Sequence, residues 1–302
     1  MAREEPRAIS VGMPVFNGER YLESAIRSIL GQTFPDFELI ISDNASTDRT
    51  AQICRDFAAQ DDRIVYTRNS QNIGAARNYN AVFALAAGRY FRWANADDVS
   101  ARTLHAACMK VLDDNPDAVL CYGKTQLIDS DGRFLQDYAD NLDLPQARPS
   151  ERFRRFFESV GLTNAIYGLM RTSAMKRTAL MGTGRLPAAD IPFMAELVLH
   201  GKFLELPETL FFRRMHASAS SGDRTDQVRQ TEFWSGQRGS FTLPAWRFHW
   251  AKIRGIARAP VQLSEKARLM LHVARQMYWD WGRLAKELAQ PTRSPMFRPP
   301  SL

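Results

Sequence analysis

Short apolar runs alternate with stretches of helical spacing over the first hundred residues. "AISVGMPVF" (residues 8–16) predicts a strand that ends at Pro14. In "GERYLESAIRSILGQ" (18–32), Tyr21, Leu22, Ala25, Ile26, Ile29 and Leu30 recur at the spacing of one helix face. "FELIISDN" predicts a second buried strand. "STDRTAQICRDFAAQ" predicts a second helix, with Ser46 and Thr47 as N-cap candidates and Asp48 in the first turn. "RIVYTRN" predicts a third strand, "GAARNYNAVFALAAG" a third helix stopped by Gly88, and "RYFRWA" a fourth strand. Strands and helices joined by short connections imply βαβ units, hence an α/β fold with a mainly parallel sheet covered by helices.

The pattern changes after residue 100. "SARTLHAACMKVLDDNP" predicts a helix closed by Pro116, and "AVLCYGKTQLIDSDGRFL" a hairpin turning at "DSDG". "ERFRRFFESV" is amphipathic and "DIPFMAELVLHG" helical. "KFLELPETLFFRRMH" predicts a strand pair broken near Pro207. "ASASSGDRTDQ" (217–227) is polar and rich in small residues, a mobile loop by composition. From about residue 225 the pattern is helical with Trp-rich faces, and "PTRSPMFRPPSL" (291–302) has the composition of a disordered tail.

Composition narrows the class. The 302 residues are 45% hydrophobic and 24% charged, which suits a globular chain with a substantial core. Three cysteines, Cys54, Cys108 and Cys121, lack C-x-x-C spacing and read as thiols of a reducing compartment. The N-terminus has no long apolar run to serve as a signal peptide, and no stretch is long and apolar enough to span a membrane. The expected location is cytoplasmic. The net charge of +7 is uneven: residues 245–290 hold nine Lys and Arg against three acids.

Ligands of open α/β sheets bind at the C-terminal ends of the strands. Those ends carry Pro14-Val15-Phe16-Asn17, Asp43-Asn44, Arg68-Asn69 and Asn95-Ala96-Asp97-Asp98. One strand-end acid is commonly a cap or a solvated loop residue. Four polar strand ends in one sheet favour a site. No G-x-G-x-x-G follows the first strand and no G-x-x-x-x-G-K-[ST] occurs, which argues against a dinucleotide Rossmann site and a P-loop. Phosphates then need another neutralising device, and carboxylates holding Mg²⁺ or Mn²⁺ supply one.

Three ordered blocks carry a family resemblance. They are "SVGMPVFNGERYLESAIRSILGQTFPDFELIISDNASTD", "NIGAARNYN" and "AGRYFRWANADD". The chain resembles glycosyltransferase family 2, inverting enzymes of GT-A fold, strongly over about residues 8–125 and loosely to about 221. The resemblance implies a catalytic domain over 1–222, its nucleotide-sugar half at about 8–125 and its acceptor half at about 126–222. A C-terminal helical region follows at 223–290.

The resemblance also implies roles. Pro14, Val15 and Phe16 match residues that line the nucleotide pocket. Asp43 matches the acid that recognises the base, typically uracil, as a fixed acceptor for an imide N–H. Arg77 would lie near the diphosphate or the base, or else form an ion pair with Asp43 or Asp97. The D-x-D motif matches Asn95-x-Asp97, with an amide in place of the first acid. Metal binding then falls to Asp97, with Asp98 as its second ligand, and fewer anionic ligands mean weaker binding.

The general base of an inverting transfer matches Asp190, with Ala189 where a second acid is usual. Asp190 also suits a helix N-cap, and Glu196 is the reserve candidate. "RRMHASASS" resembles a stretch in which Arg214, His216 and Ser221 close over the diphosphate or complete the metal shell.

The implied reaction moves a hexosyl or N-acetylhexosaminyl unit from a nucleotide sugar, a UDP-sugar, to an acceptor hydroxyl. A saccharide or lipid-linked acceptor in surface polysaccharide synthesis fits that reaction. A nucleotidyltransferase would want a Gly-rich basic loop where "PVFNGERY" stands. A non-catalytic nucleotide-sugar-binding protein is the other alternative, given Asn95 and Ala189. The C-terminal helices set Trp246, Trp250, Trp279 and Trp281 among basic residues. That suits the anionic inner face of a membrane, or packing on the catalytic domain or a second copy of the chain. Nothing in the chain is a nucleic-acid motif.

Overall fold

The computed structural model describes residues 6–183, 186, 188–217, 227–236 and 243–289. Ser221, most of the polar stretch at 217–227 and the tail at 291–302 lie outside the described residues.

The first half is built from β1 (Ile9–Val15), α1 (Leu22–Leu30), β2 (Phe37–Asp43), α2 (Thr50–Gln60), β3 (Ile64–Arg68), α3 (Ala75–Ala84) and β4 (Tyr90–Trp93). These are the expected elements, with shorter helices. The four strands pair in parallel, β3–β2–β1–β4, so their C-terminal ends share one edge. Their residues alternate between two cores, as a period of two requires. Leu39 and Ile41 pack with α1 and α2 on one face; Ile40, Phe91 and Trp93 face α3 on the other.

The second half adds β5 (Val99–Ser100), α4 (Leu104–Asp114), β6 (Ala118–Ile128), β7 (Phe134–Tyr138) and α5 (Pro149–Ser159). A 3-10 turn at Asn164–Tyr167, β8 (Leu169–Arg171), α6 (Thr172–Met175), α7 (Asp190–Leu197) and β9 (Lys202–Arg214) complete it. The sheet continues β4–β8–β6–β9–β5, with β7 pairing off β6. β8 runs antiparallel to both neighbours, so this half of the sheet is mixed. The β6–β7 hairpin turns where "DSDG" predicted, the Asp129 carboxylate accepting the N–H groups of Asp131 and Arg133.

Local expectations are corrected at three places. Ser46 and Thr47 do not cap α2; Asp48 does that work, its Oδ1 accepting the Thr50 N–H at 2.9 Å. Gly88 does not stop α3, which ends at Ala84. A Cβ at Gly88 would lie 2.7 Å from the Ser10 nitrogen, so its smallness lets the chain pass close to β1. The expected strand pair at 202–216 is one strand, β9, lying parallel to β6. Pro207 sits where the register slips from Leu206 opposite Gly123 to Thr209 opposite Lys124, an irregularity that spares a residue without an N–H from the ladder.

Four helices follow: α8 (Gln227–Ser235), α9 (Pro244–Arg258), α10 (Leu263–Trp279) and α11 (Trp281–Ala289). Ile256, Ala259, Leu269 and Val273 belong to the same buried cluster as Trp93 and Phe193. One face of α9 and α10 therefore completes the core beneath the sheet. Trp250, Tyr278, Trp279 and Trp281 remain more than half exposed. Among the described residues, no helix is long and apolar enough to cross a membrane.

Candidate active site

Parallel pairing sets Val15 opposite Asp43 and Asp43 opposite Arg68 at the shared edge. The loops beyond β1 and β2 are laced together there. The Asn17 N–H donates to Ser46 Oγ at 2.9 Å, Asn17 Oδ1 accepts the Thr47 N–H at 2.8 Å, and the Gly18 N–H donates to Thr50 Oγ1 at 2.8 Å. Ser46 and Thr47 are spent on this lacing, which is why they do not cap. Val15 is buried and Pro14 half-buried; Phe16 is 48% exposed and presents its ring at the edge.

Asp43 is fully buried. Its Oδ1 accepts the Ser46 N–H at 2.8 Å, its Oδ2 accepts the Tyr66 hydroxyl at 3.0 Å, and Arg68 Nε lies 3.6 Å away. Burial, then the Asp43 charge, pushes the Tyr66 phenol up to about 12, so it remains a donor. A ligand reaches this carboxylate only by displacing a neighbour, and Arg68, 45% exposed on its side chain, is the movable one.

An amide cluster lies beside it. Asn44 Oδ1 accepts from Asn69 Nδ2 and from the Ile73 N–H, and Asn44 Nδ2 donates to Asn72 Oδ1. Asn78 Oδ1 accepts from Ser42 and Asn69. These side chains tie the ends of β2 and β3 to the start of α3. Only their repeated spacing near strand ends signalled them in the sequence.

The Asn95–Asp98 turn is held from three sides. Asn95 Oδ1 accepts the Tyr79 hydroxyl at 2.7 Å and its Nδ2 donates to Asp98 Oδ2 at 2.8 Å. Asp98 Oδ1 accepts the Arg214 N–H of β9 at 2.8 Å. Both Asp98 oxygens are thus used inside the protein. Burial, then the Asp97 charge, raises the carboxyl to about 7. Asp97 points outward, one-third exposed on its side chain, with Oδ2 3.0 Å from His216 Nε2. The His216 ring packs on Tyr21 at 4.9 Å.

Arg214 does not face the cleft. It is 7% exposed, and its guanidinium donates to the carbonyls of Asp97, Asp129 and Ser130 while stacking 4.7 Å from the Tyr21 ring centre. The expected diphosphate contact is replaced by a brace between β9, the hairpin and the acidic turn. Arg213 is also buried, donating to Asn164 and to the Leu162 carbonyl, with its charge beside Asp98, Asp97 and Asp140. Arg77 stands exposed on the first turn of α3, and neither alternative ion pair forms: Asp43 meets Arg68, and Asp97 meets His216.

Asp190 opens α7 as its first helical residue, with Ala189 in the cap position. Phe193 packs edge-on to Trp93 at 5.0 Å, which fixes this helix end against β4. The phenol of Tyr79 is raised far above its ordinary value, first by burial, and Tyr167, Asp97 and Asp190 add to the shift. Tyr167 is pushed up to about 12, again first by burial, and also feels Asp98 and Asp190. Asp190, Asp97, Asn95, Tyr79 and Tyr167 therefore share one electrostatic neighbourhood. Glu196 is elsewhere. It is 5% exposed, accepts both Nε and Nη2 of Arg258 at 2.9 Å, and accepts the Ala179 N–H at 3.0 Å. That pair joins α7 to α9 and removes Glu196 as a base.

Asp97 and His216 are the two side chains at this edge that could hold a divalent cation. Two adjacent octahedral ligands at about 2.1 Å each lie about 3.0 Å apart. At that separation Asp97 Oδ2 and His216 Nε2 are hydrogen-bonded to each other, a bond that an ion would have to replace. Among the described residues no cluster of three metal-ligating side chains occurs. Mg²⁺ and Mn²⁺ suit such a site, because they draw their remaining oxygens from water and phosphate.

Comparison with known proteins gives this geometry a family. Residues 10–179, more than half of the chain, match the profile of glycosyl transferase family 2. The chain is 26% identical over 171 residues to an uncharacterized glycosyltransferase of Methanocaldococcus jannaschii, covering 56% of this chain and 57% of that one. It is 38% identical over 116 residues to the abequosyltransferase RfbV of Salmonella typhimurium, covering 37% of this chain and 35% of the relative. The chain thus spans just over half of the first relative and about a third of the second.

Its structure is similar to the UDP complex of S. aureus TarS 1–349, with TM-score 0.65 and 16% identity, over 90% of this chain and 72% of that one. It is also similar to the mannosyltransferase PcManGT of Pyrobaculum calidifontis in complex with GDP-Man and Mn²⁺, with TM-score 0.52 and 16% identity, over 95% and 86%. At those identities the likeness establishes the fold, GT-A. The matched region contains the strand ends with Asp43 and the Asn95–Asp98 turn, and the chain belongs to glycosyltransferase family 2.

Proposed function

We propose that this glycosyltransferase binds a UDP-sugar at the shared strand edge and transfers the sugar with inversion to an acceptor hydroxyl. The observation that carries the reading is the common neighbourhood of Asp190 and Asp97 around Asn95, Tyr79 and Tyr167. Phe16 supplies an apolar face for the base, and Asp43 an acceptor for its imide N–H once Arg68 moves aside. Asp97 and His216 would hold the divalent ion, which when bound neutralises charge on the departing diphosphate.

The remaining work belongs to the chain. Asp190 takes the proton of the acceptor hydroxyl, whose oxygen forms a bond to the anomeric carbon as the bond to the diphosphate breaks. Tyr79 stays protonated, and its hydroxyl, donated to Asn95 Oδ1, holds the turn that carries Asp97. The exposed Trp250, Trp279 and Trp281, with the basic excess of residues 245–290, support a location at an anionic membrane face and an acceptor made there.

The test is Asp190→Asn with UDP-sugars and Mn²⁺. Transfer should fall at least 100-fold while UDP binding by calorimetry stays within threefold of wild type. Full transfer by the variant would remove Asp190 as the base. Failure of the wild type to bind any nucleotide sugar would remove the function itself.

A further inference from the structure

A cavity of about 250 Å³ lies between the catalytic domain and the C-terminal helices. One wall contains Ala188 and Ile191, which bracket Asp190 in the chain. Another contains Phe157 and Val160, at and just past the end of α5; α9, α10 and α11 close the rest. The volume is just below the roughly 300 Å³ at which ligand pockets usually begin. It suits one ring of a larger molecule.

The polar groups in this apolar cavity are poorly matched by the protein. Lys252 is 6% exposed. Its Nζ donates to Gln276 Oε1 at 2.7 Å and lies over the rings of Phe157 and Phe248 at 4.5 and 4.7 Å. Among the described residues no carboxylate pairs with it, and Asp280 is engaged by His249. Burial holds the ammonium down to about 8. Two aromatic faces offset only part of the cost of desolvating a cation.

His249, 2% exposed, meets Asp280 Oδ2 through Nε2 at 3.0 Å. Burial, with the Lys252 charge second, lowers it to about 4, so the ring is neutral at pH 7. With the proton on Nε2 facing the carboxylate, Nδ1 is a free acceptor, and it has no hydrogen-bond partner. Arg283 Nε also has none; Glu287 Oε1 stands 3.9 Å away. A buried cation whose carboxylate neighbour, Asp280, is already engaged by His249, a second donor and an unmet acceptor line one apolar cavity.

We propose that this cavity is an acceptor subsite for an anionic sugar unit. The anion is held by Lys252 and Arg283, a hydroxyl donates to His249 Nδ1, and the apolar ring face packs on Phe157, Phe248 and Trp279. The proposal rests on the transferase reading, since it is Asp190 that makes the adjoining ligand an acceptor. Most of the walls come from residues 244–283, beyond the stretch that matches the family profile.

The experiment titrates the full chain, saturated with UDP, with D-glucuronic acid, glucose 6-phosphate and D-glucose, followed by ligand-observed NMR. At least one anionic sugar should bind ten times more tightly than glucose, and which one does so identifies the anion as carboxylate or phosphate. Lys252→Met should reduce that sugar to the affinity of glucose, and Arg283→Gln, at a half-buried position, should weaken it severalfold. UDP binding should be unchanged in both. The subsite is overturned if neither anion exceeds glucose, if the preference survives Lys252→Met, or if UDP competes with the sugar. Any of these results with UDP binding intact leaves the transferase reading standing; a wild type that binds no UDP strikes that reading instead.

Discussion

Arg258→Met should cost far more stability than Glu196→Gln, although the two residues form one ion pair. Glu196 is 5% exposed and Arg258 is 44% exposed on its side chain. The carboxylate accepts two guanidinium bonds at 2.9 Å and the Ala179 N–H at 3.0 Å, and Gly255 covers it. Removing the arginine strands a buried charge, a class of change that costs roughly 3–5 kcal/mol. Water can enter the space that Arg258 leaves, so about 3 kcal/mol is expected here. Glu196→Gln keeps an acceptor for Ala179 and frees a half-exposed arginine to turn into water, which should cost about 1 kcal/mol. In a chain of this size, 3 kcal/mol lowers Tm by roughly 5 °C. Urea unfolding and a thermal scan at pH 7 measure both variants. Equal losses would refute the asymmetry. Because Glu196 lies on the helix that begins with Asp190, Arg258→Met should also lower kcat while UDP affinity holds.

Asp140 is buried, accepts the Asn164 N–H at 2.9 Å, and is raised to about 7 chiefly by burial. The folded state then keeps a proton that the unfolded chain releases near pH 4. Its contribution to stability is lost as pH rises from about 4 to 7, with a slope of up to about 1.4 kcal/mol per pH unit. Asp140→Asn should remove that part of the slope, leaving a component of the same sign from Asp98; an unchanged urea-midpoint profile would refute it. Arg92 is fully buried, bonds to Ser100 Oγ at 2.8 Å, and has an Nη1 without a partner. Arg92→Met should be neutral or stabilising by about 1–3 kcal/mol, and a fall in Tm would count against the argument. Asn95→Asp would set a carboxylate where an amide now donates to Asp98 at 2.8 Å, and a loss of about 1–3 kcal/mol in urea at pH 8 is expected.

The first half of the fold was legible because each element buries its own periodic face. Three strands of alternating residues and two helices of spacing 3.6 lead to one parallel arrangement. The same periodicity could have been taken further. Ala76, Tyr79 and Phe83 share the inward face of α3, and Arg77 falls off it. Motif resemblance singled out the arginine; helical geometry brings Tyr79 to the site. The second half was less legible because its pairings are distant in sequence. β6 takes β8 and β9 as neighbours, and Tyr167 lies in a 3-10 turn too short to show a period. An apolar run interrupted by Pro207 looks like two strands until its partner is known.

Asn95 shows why the chemistry of single positions was the hardest to read. As a departure from D-x-D it implied weaker metal binding, a statement about what the residue lacks. In the structure the amide is needed for what it has: an acceptor on one side and a donor on the other. Tyr79 can only donate to it, since burial keeps the phenol protonated, and Asp98 calls for a donor. A carboxylate at 95 would satisfy the phenol and repel Asp98. Asp98 in turn is inside because its other oxygen holds the Arg214 N–H, which anchors β9 and sets the position of His216 two residues later. The amide therefore belongs to the scaffold that brings His216 to Asp97. A motif assigns an acid at 97 and another at 98 the same chemistry; burial separates them, leaving Asp97 one-third exposed beside an imidazole and giving Asp98 to the fold.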